Sequence, residues 1–280
     1  MKTWLMMVVC LLGISLPLQA APGKPETGAQ YVNMGSSFAA GPGIKSVKPG
    51  SVPRCQQSTA NYASLLADSL HLTLEDRSCG GAQSIHLLEA WKELPPQIDA
   101  VNSSTRLVTI TVGGNDLNYV RNLFAASCVE KEGFTYQGKT YPCFPEVAVG
   151  EEVYTQLKSN LVKIAKQITS RAPQAKIIFI QYVTLIPEKL CKAIPLTTEE
   201  AERMRHLAGR LAKITTSAAR ETGALVLNTD TLSAGHTACD RDPWSIGAHI
   251  STGNDEGRPW HPNRRAHELI AEHLRQMLKE

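Results

Sequence analysis

The stretch that decides the fold is Gln30-Tyr-Val-Asn-Met-Gly-Ser-Ser-Phe-Ala-Ala-Gly41. It begins as a short apolar strand, breaks at Gly35 and continues with small residues where a helix would start. Ligands of open α/β sheets bind at the carboxyl ends of the strands, so Ser37 is a candidate nucleophile. The alternative is that Ser36 and Ser37 only cap the following helix, because serine is a good N-cap.

Further along the chain, apolar strand patterns alternate with helical ones. Residues 106–112 and 176–185 are almost continuously apolar or β-branched, which is typical of strands buried on both faces. Apolar residues recur at helical spacing over 153–168, 204–218 and 266–277. This alternation predicts an α/β fold, a three-layer α/β/α sandwich with a central parallel sheet, as a single domain over residues 30–280.

The amino-terminal segment predicts export. Residues 1–20 have a lysine at position 2, an apolar run from Leu5 to Leu16 and a small-residue cleavage site at Leu18-Gln-Ala20, which together indicate a signal peptide. Residues 21–29 are a polar, flexible leader. We therefore expect a secreted or periplasmic protein with no transmembrane segment in the mature chain. The net charge of +3 and the lack of basic runs argue against a nucleic-acid partner.

The cysteine count also fits export. One of the seven cysteines, Cys10, lies in the signal segment, and an even number remains. In an exported chain this argues for disulfides, and the absence of C-x-x-C pairs argues against structural zinc. Fifteen pairings are possible. Nearest-neighbour pairing is our prediction because each bridge would then close one long loop region: Cys55 with Cys79, Cys128 with Cys143, and Cys191 with Cys239.

Three short motifs follow strands or precede the last helix. They are Cys79-Gly-Gly-Ala82, Gly114-Asn115-Asp116 and His261-Pro-Asn263. With Gly35-Ser-Ser-Phe-Ala39 they resemble, in the right order, the four blocks of the SGNH (GDSL-like) hydrolase family. The resemblance covers residues 30–278 and is closest to the secreted, disulfide-bearing esterase and lipase branch, which typically has three disulfides and a flavodoxin-like sheet.

The resemblance implies a role for each motif. Ser37 would be the nucleophile and His261 the general base. The backbone N–H groups of Ser37 and Gly81 and the side-chain amide of Asn115 would form the oxyanion hole, where neutral donors stabilise developing negative charge. Each residue also has a purely structural alternative. Gly81 would only form a turn, Asn115 would only cap the following helix, and His261 would only bond to a loop carbonyl.

Two positions depart from the family pattern. The usual Gly-Asp-Ser is Gly35-Ser36-Ser37, and Arg258 stands where the family often has an aspartate three residues before the histidine. We expect a Ser-His dyad in which a backbone carbonyl just before His261, for instance that of Trp260, accepts the imidazole N–H. The rival acids are Asp255 and Asp116.

These patterns predict a secreted serine esterase or lipase that hydrolyses carboxylic esters through an acyl-enzyme on Ser37, without cofactor or metal. It would act as a monomer on a small-molecule or lipid ester. One alternative is a carbohydrate acetyl esterase that uses the same site, and another is a non-catalytic binding module on the same fold. The aromatic content of 6% suggests no stacked sugar platform and favours acyl lipids or simple esters.

Overall fold

The computed structural model describes residues 25–128, 133–136, 139–249 and 257–279. The predicted signal peptide and residues 21–24 of the predicted leader lie outside the described residues. Within the described chain the strands are β1 (Gln30–Gly35), β2 (Thr73–Asp76), β3 (Thr105–Thr111), β4 (Phe134–Tyr136), β5 (Lys139–Tyr141), β6 (Lys176–Ile180) and β7 (Leu225–Leu227). The helices are α1 (Ser37–Ala40), α2 (Tyr62–Leu70), α3 (Ile85–Leu88), α4 (Tyr119–Ala126), α5 (Glu151–Arg171), α6 (Thr198–Thr222), α7 (Thr229–Leu232) and α8 (Arg264–Met277), with a 3₁₀ helix at Gln97–Ala100.

Strands β2, β1, β3, β6 and β7 form a parallel sheet in that order. Helices α2 and α8 pack together as one pair, and α5 and α6 pack together as another. Side chains of β1, β3 and β6 are almost entirely buried, as expected for central strands covered on both faces. The predicted three-layer α/β/α sandwich is confirmed. Strands β4 and β5 pair with each other as a separate antiparallel hairpin.

Local sequence signals fix several boundaries. Helix α6 begins at a capping box formed by Thr197 and Glu200, and Gly223 ends it at a φ of 71°. Strand β6 is shorter than predicted because the chain leaves the sheet after Ile180, and Thr184 instead bonds to Ser233 and Asp230.

None of the described helices is both long enough and apolar enough to cross a membrane.

Helix α3 is a single turn, Ile85–Leu88. Glu89 is extended, and Trp91 and Leu94 exchange backbone hydrogen bonds in a tight turn. This turn brings the side chain of Trp91 next to Gly81. The interruption of the helix therefore shapes the loop that carries one of the predicted site residues.

Candidate active site

The turn between β1 and α1 depends on Gly35. Its φ is 137°, and a Cβ atom there would lie 2.2 Å from the carbonyl oxygen of Thr111 on the neighbouring strand. The side-chain amide of Gln97 accepts from the Gly35 N–H at 2.7 Å and donates to its carbonyl at 3.1 Å. Glycine is thus required by both conformation and space. The main chain leaves the sheet here, and Ser37 becomes the first residue of α1.

Ser36 and Ser37 are adjacent, but their hydroxyl groups make different contacts. Ser36 is fully buried, and its Oγ lies 2.9 Å from the hydroxyl of Tyr182 and 3.4 Å from the carbonyl of Thr111. Ser36 is the N-cap of α1 but makes no side-chain capping bond. The Oγ of Ser37 lies 2.9 Å from Nε2 of His261. Of the two serines, therefore, only Ser37 contacts the predicted base.

His261 is held by the chain immediately before it. Its Nδ1 lies 2.7 Å from the carbonyl oxygen of Pro259. The expected backbone acceptor just before His261 is present, but it is the carbonyl of Pro259 and not that of Trp260, the instance named from the sequence: Trp260 has a φ of 58°, and the resulting turn presents the carbonyl two residues before the histidine. Because a carbonyl only accepts, Nδ1 carries the proton and Nε2 is free to accept from the Ser37 hydroxyl.

The environment keeps this imidazole neutral. Burial lowers the pKa of His261 to about 4; the bond to the Pro259 carbonyl opposes that shift, and the positive charge of Arg258 adds to it. A neutral imidazole is the form that can accept a proton from serine. The arginine that replaces the family's frequent aspartate thus acts on His261 in the opposite sense to a carboxylate.

The structure describes only one of the two acids considered as a third catalytic member, Asp116. The carboxylate of Asp116 accepts from the backbone N–H of Ser84, at 2.9 and 3.1 Å, and from the Ser84 hydroxyl. It anchors the loop after Gly81 and has no hydrogen bond to His261. Burial raises the pKa of Asp116. Asp255 lies outside the described residues.

The predicted nucleophile, base and oxyanion-hole residues line one groove. This groove has a volume of about 600 Å³, and its wall includes Ser37, Gly81, Asn115 and His261. Gly81 has a φ of 83°, and the N–H groups of Ser37 and Gly81 have no acceptor within the described residues. The Asn115 amide donates to the carbonyl of Ala82 at 2.9 Å, which fixes its orientation beside Gly81.

Tyr182 was not identified from the sequence. Its hydroxyl accepts from the Gly114 N–H at 3.0 Å and contacts Ser36, so it links the turn before Ser37 to the Gly-Asn-Asp motif. The Tyr182 ring lies 4.1 Å from that of Phe38, and the Phe38 ring lies 5.1 Å from that of His261. A tyrosine at the end of an apolar strand is more often part of the hydrophobic core than of a functional site. Only the contacts of Tyr182 with Ser36 and Gly114 therefore reveal that it links the two motifs.

The cysteines pair as nearest neighbours: Cys55–Cys79, Cys128–Cys143 and Cys191–Cys239. The first bridge lies directly against the groove, because Gly80 follows Cys79 and donates its N–H to the carbonyl of Cys55 at 3.0 Å. In the described part of the chain, no group of three or more histidine, cysteine or acidic residues is arranged to hold a metal.

A serine hydroxyl in contact with a neutral imidazole, at the carboxyl edge of a parallel sheet, is the arrangement of a serine hydrolase. Comparison with known proteins makes this more specific. The chain belongs to the GDSL-like lipase/acylhydrolase family, whose model matches residues 34–269. It is a carboxylic ester hydrolase, as the sequence motifs predicted.

Among curated proteins, the chain is 29% identical over 272 residues to Lipase 2 of Streptomyces coelicolor, covering 92% of this chain and 89% of the relative. It is 25% identical over 323 residues to an esterase of Streptomyces scabiei, covering 96% and 91%. Among solved structures, an extracellular lipase from Streptomyces rimosus has the same fold, with a TM-score of 0.69 at 24% identity, covering 89% of this chain and 99% of that one.

Proposed function

We propose that this protein is an exported serine esterase or lipase in which Ser37 is the nucleophile and His261 the general base. The observation that carries the proposal is the 2.9 Å contact between Ser37 Oγ and His261 Nε2. The Pro259 carbonyl holds the imidazole tautomer, so a dyad with a backbone acceptor replaces the usual triad.

The reaction proceeds through an acyl-enzyme. Ser37 Oγ attacks the ester carbonyl carbon while its proton passes to Nε2 of His261. The N–H groups of Ser37 and Gly81 and the Asn115 amide stabilise the resulting oxyanion, each donor contributing about 2.7–4 kcal/mol. When the intermediate collapses, the C–O bond breaks and the imidazolium protonates the leaving alcohol. Water then attacks the acyl carbon while His261 again takes a proton. The acyl–Oγ bond breaks, the imidazolium returns the proton to Ser37 Oγ, and the carboxylic acid leaves.

Export is supported by two observations. Residues 1–20 have the pattern of a signal peptide, and every cysteine after that segment lies in a disulfide, which suits an oxidising compartment. We propose that residues 30–280 act as one domain outside the cytoplasm.

A carbohydrate acetyl esterase is the second candidate, and the tryptophans argue against it. Sugar-binding sites often use an exposed aromatic face, but Trp244 and Trp260 are buried. The ring of Trp91, beside Gly81, stacks on the His86 ring with 4.3 Å between ring centres. The Arg54 guanidinium lies 3.9 Å from the centre of the same ring. The described tryptophans therefore offer no open platform for a sugar, which favours acyl lipids or simple esters.

A panel of p-nitrophenyl esters of increasing acyl-chain length tests the proposal. Wild-type protein should hydrolyse them and react with a fluorophosphonate probe, whereas the Ser37→Ala variant should do neither. Folded wild-type protein that neither hydrolyses any ester nor takes the probe would show a non-catalytic binding module instead.

A further inference from the structure

The groove beside Ser37 is lined by cationic side chains. Arg54, Arg121 and Arg258 contribute to its wall, and within the described residues no aspartate or glutamate does. Cations placed around a partly enclosed groove raise the local concentration of anionic ligands. Nothing in the chemistry of ester cleavage requires this charge, because the oxyanion is stabilised by neutral donors. The arginines therefore need a separate explanation.

Arg121 is the arginine best placed to bind a ligand. Its Nη1 donates to the carbonyl of Pro145 at 2.8 Å, and its guanidinium lies 4.5 Å from the centre of the Phe144 ring. It has no carboxylate partner within the described part of the chain. A guanidinium has five N–H donors, so most of its donors are not used by these contacts.

The neighbouring segment fixes the position of Arg121. The Cys128–Cys143 disulfide ties the residues just before Phe144 to the chain just after α4. The Asn122 amide donates to the carbonyl of Val147 and accepts from its N–H, both at 2.9 Å. The segment that contacts Arg121 is thus held along α4 at two points. An arginine held in this way loses little conformational freedom when a ligand binds.

The other two arginines are differently engaged. Arg54 is paired with Glu93 at 2.7 Å, which offsets much of its charge. Arg258 lies near His261, where its charge lowers the histidine pKa. Both add to the positive potential of the groove, but Arg121 combines a half-buried position with an unneutralised charge.

We infer that Arg121 binds a phosphate group on the substrate, so that the groove prefers acyl esters whose alcohol portion carries a phosphate. Arginine forms two parallel hydrogen bonds with phosphate oxygens, and such charge-assisted bonds are stronger than neutral ones. The inference rests on the proposed esterase function and specifies its substrate class. Arg121 is in this sense a specificity-determining residue.

A matched pair of soluble substrates tests the inference: 1,2-dihexanoylglycerol and 1,2-dihexanoylglycerol 3-phosphate, both below their micelle-forming concentrations. Wild-type kcat/KM should be higher for the phosphate ester, and Arg121→Gln should lower the ratio of the two kcat/KM values by roughly 10-fold. Arg121→Lys should recover only part of the ratio. The control is Arg106→Gln, which removes the same charge at the amino end of β3, away from the groove, and should leave the ratio unchanged.

Binding measurements separate this inference from the proposed function. In the Ser37→Ala background, which cannot turn over substrate, calorimetry should show tighter binding of the phosphate ester than of the neutral one. Adding Arg121→Gln should remove that difference. Equal binding of the two esters, or a kcat/KM ratio in Arg121→Gln within about 2-fold of wild type, would overturn the role of Arg121. Absence of any hydrolysis by wild-type protein would instead refute the proposed function, while the binding result would still decide the phosphate site.

Discussion

The carbonyl oxygen of Pro259 lies 2.7 Å from Nδ1 of His261, two residues further along the chain. A backbone carbonyl can hold the imidazole in one tautomer and one orientation, as the aspartate of a triad does. It carries no net charge, however, so it stabilises the imidazolium formed during the reaction less than a carboxylate would. The arrangement predicts that no acidic side chain is essential to the proton transfer.

The first prediction concerns Asp116, which is bonded to Ser84 and not to His261. Asp116→Ala should lower kcat by much less than the ~10⁴-fold expected on loss of a triad aspartate. Asp255→Ala, at the other rival acid, should behave in the same way. Steady-state kinetics on a soluble p-nitrophenyl ester would measure both effects. A triad-sized loss in either variant would identify that aspartate as the third catalytic member.

The second prediction concerns pH. As the proposed general base, His261 must be neutral to accept the serine proton, and burial lowers its pKa to about 4. The acid limb of the kcat/KM profile should therefore lie well below the value of about 6.5 for an ordinary histidine. Arg258→Gln removes a cation that disfavours the imidazolium, so it should raise the pKa of His261 and move the acid limb to higher pH. A profile with its acid limb near 6.5 in wild-type protein would contradict the buried, neutral imidazole.

The third prediction separates the two serines. Ser37→Ala should lower kcat by at least ~10³-fold, because it removes the nucleophile. Ser36→Ala keeps the contact between Ser37 and His261 and removes only a buried hydroxyl bonded to Tyr182, so its effect on kcat should be far smaller. Peptide mapping after fluorophosphonate labelling should place the adduct on Ser37. An adduct on Ser36 would reverse the assignment.

The fourth prediction concerns Tyr182, whose hydroxyl links Ser36 to Gly114. Tyr182→Phe leaves the buried Gly114 N–H without its acceptor, which should lower the free energy of unfolding by about 1–3 kcal/mol. Tyr154→Phe is the control, because the Tyr154 ring contacts Arg210 and its hydroxyl has no hydrogen-bond partner within the described residues. Urea unfolding followed by circular dichroism would compare the two. Equal stability of both variants would show that the Tyr182 hydroxyl is not structurally important.

The fifth prediction concerns the Cys55–Cys79 disulfide, which borders Gly80 and Gly81. Replacing both cysteines with alanine should lower the free energy of unfolding by about 3 kcal/mol, since closing a loop of this order constrains the unfolded chain by that amount. It should also lower kcat, because the backbone that positions the Gly81 N–H would no longer be tied to Cys55 by the disulfide. Thermal unfolding and kinetics measure the two effects. Mass mapping of wild-type protein that finds free thiols, or Cys55 bridged elsewhere, would contradict the pairing.

The sequence predicts the parts of this site that depend on residue type and strand position. Apolar runs place β3 and β6, and Ser37 and Asn115 follow the ends of strands that lie side by side. It does not predict the acceptor for His261, because every residue has a carbonyl and only the turn at Trp260 determines which one faces the ring. The link through Tyr182 is also hidden, because it depends on where the chain leaves the sheet after β6. Similarly, the position of Arg121 follows from contacts across the insertion after α4.

Ser37 and His261 are 224 residues apart in the chain. His261 lies three residues before the start of α8, which packs on α2, and Nδ1 of His267 in that helix accepts from the backbone N–H of Tyr62 at 3.0 Å. The proposed nucleophile therefore meets the proposed base only when the segment from His261 through α8 has docked on α2. If the two residues act as proposed, esterase activity should return after denaturation later than the helical circular-dichroism signal, and its return would report when α8 docks.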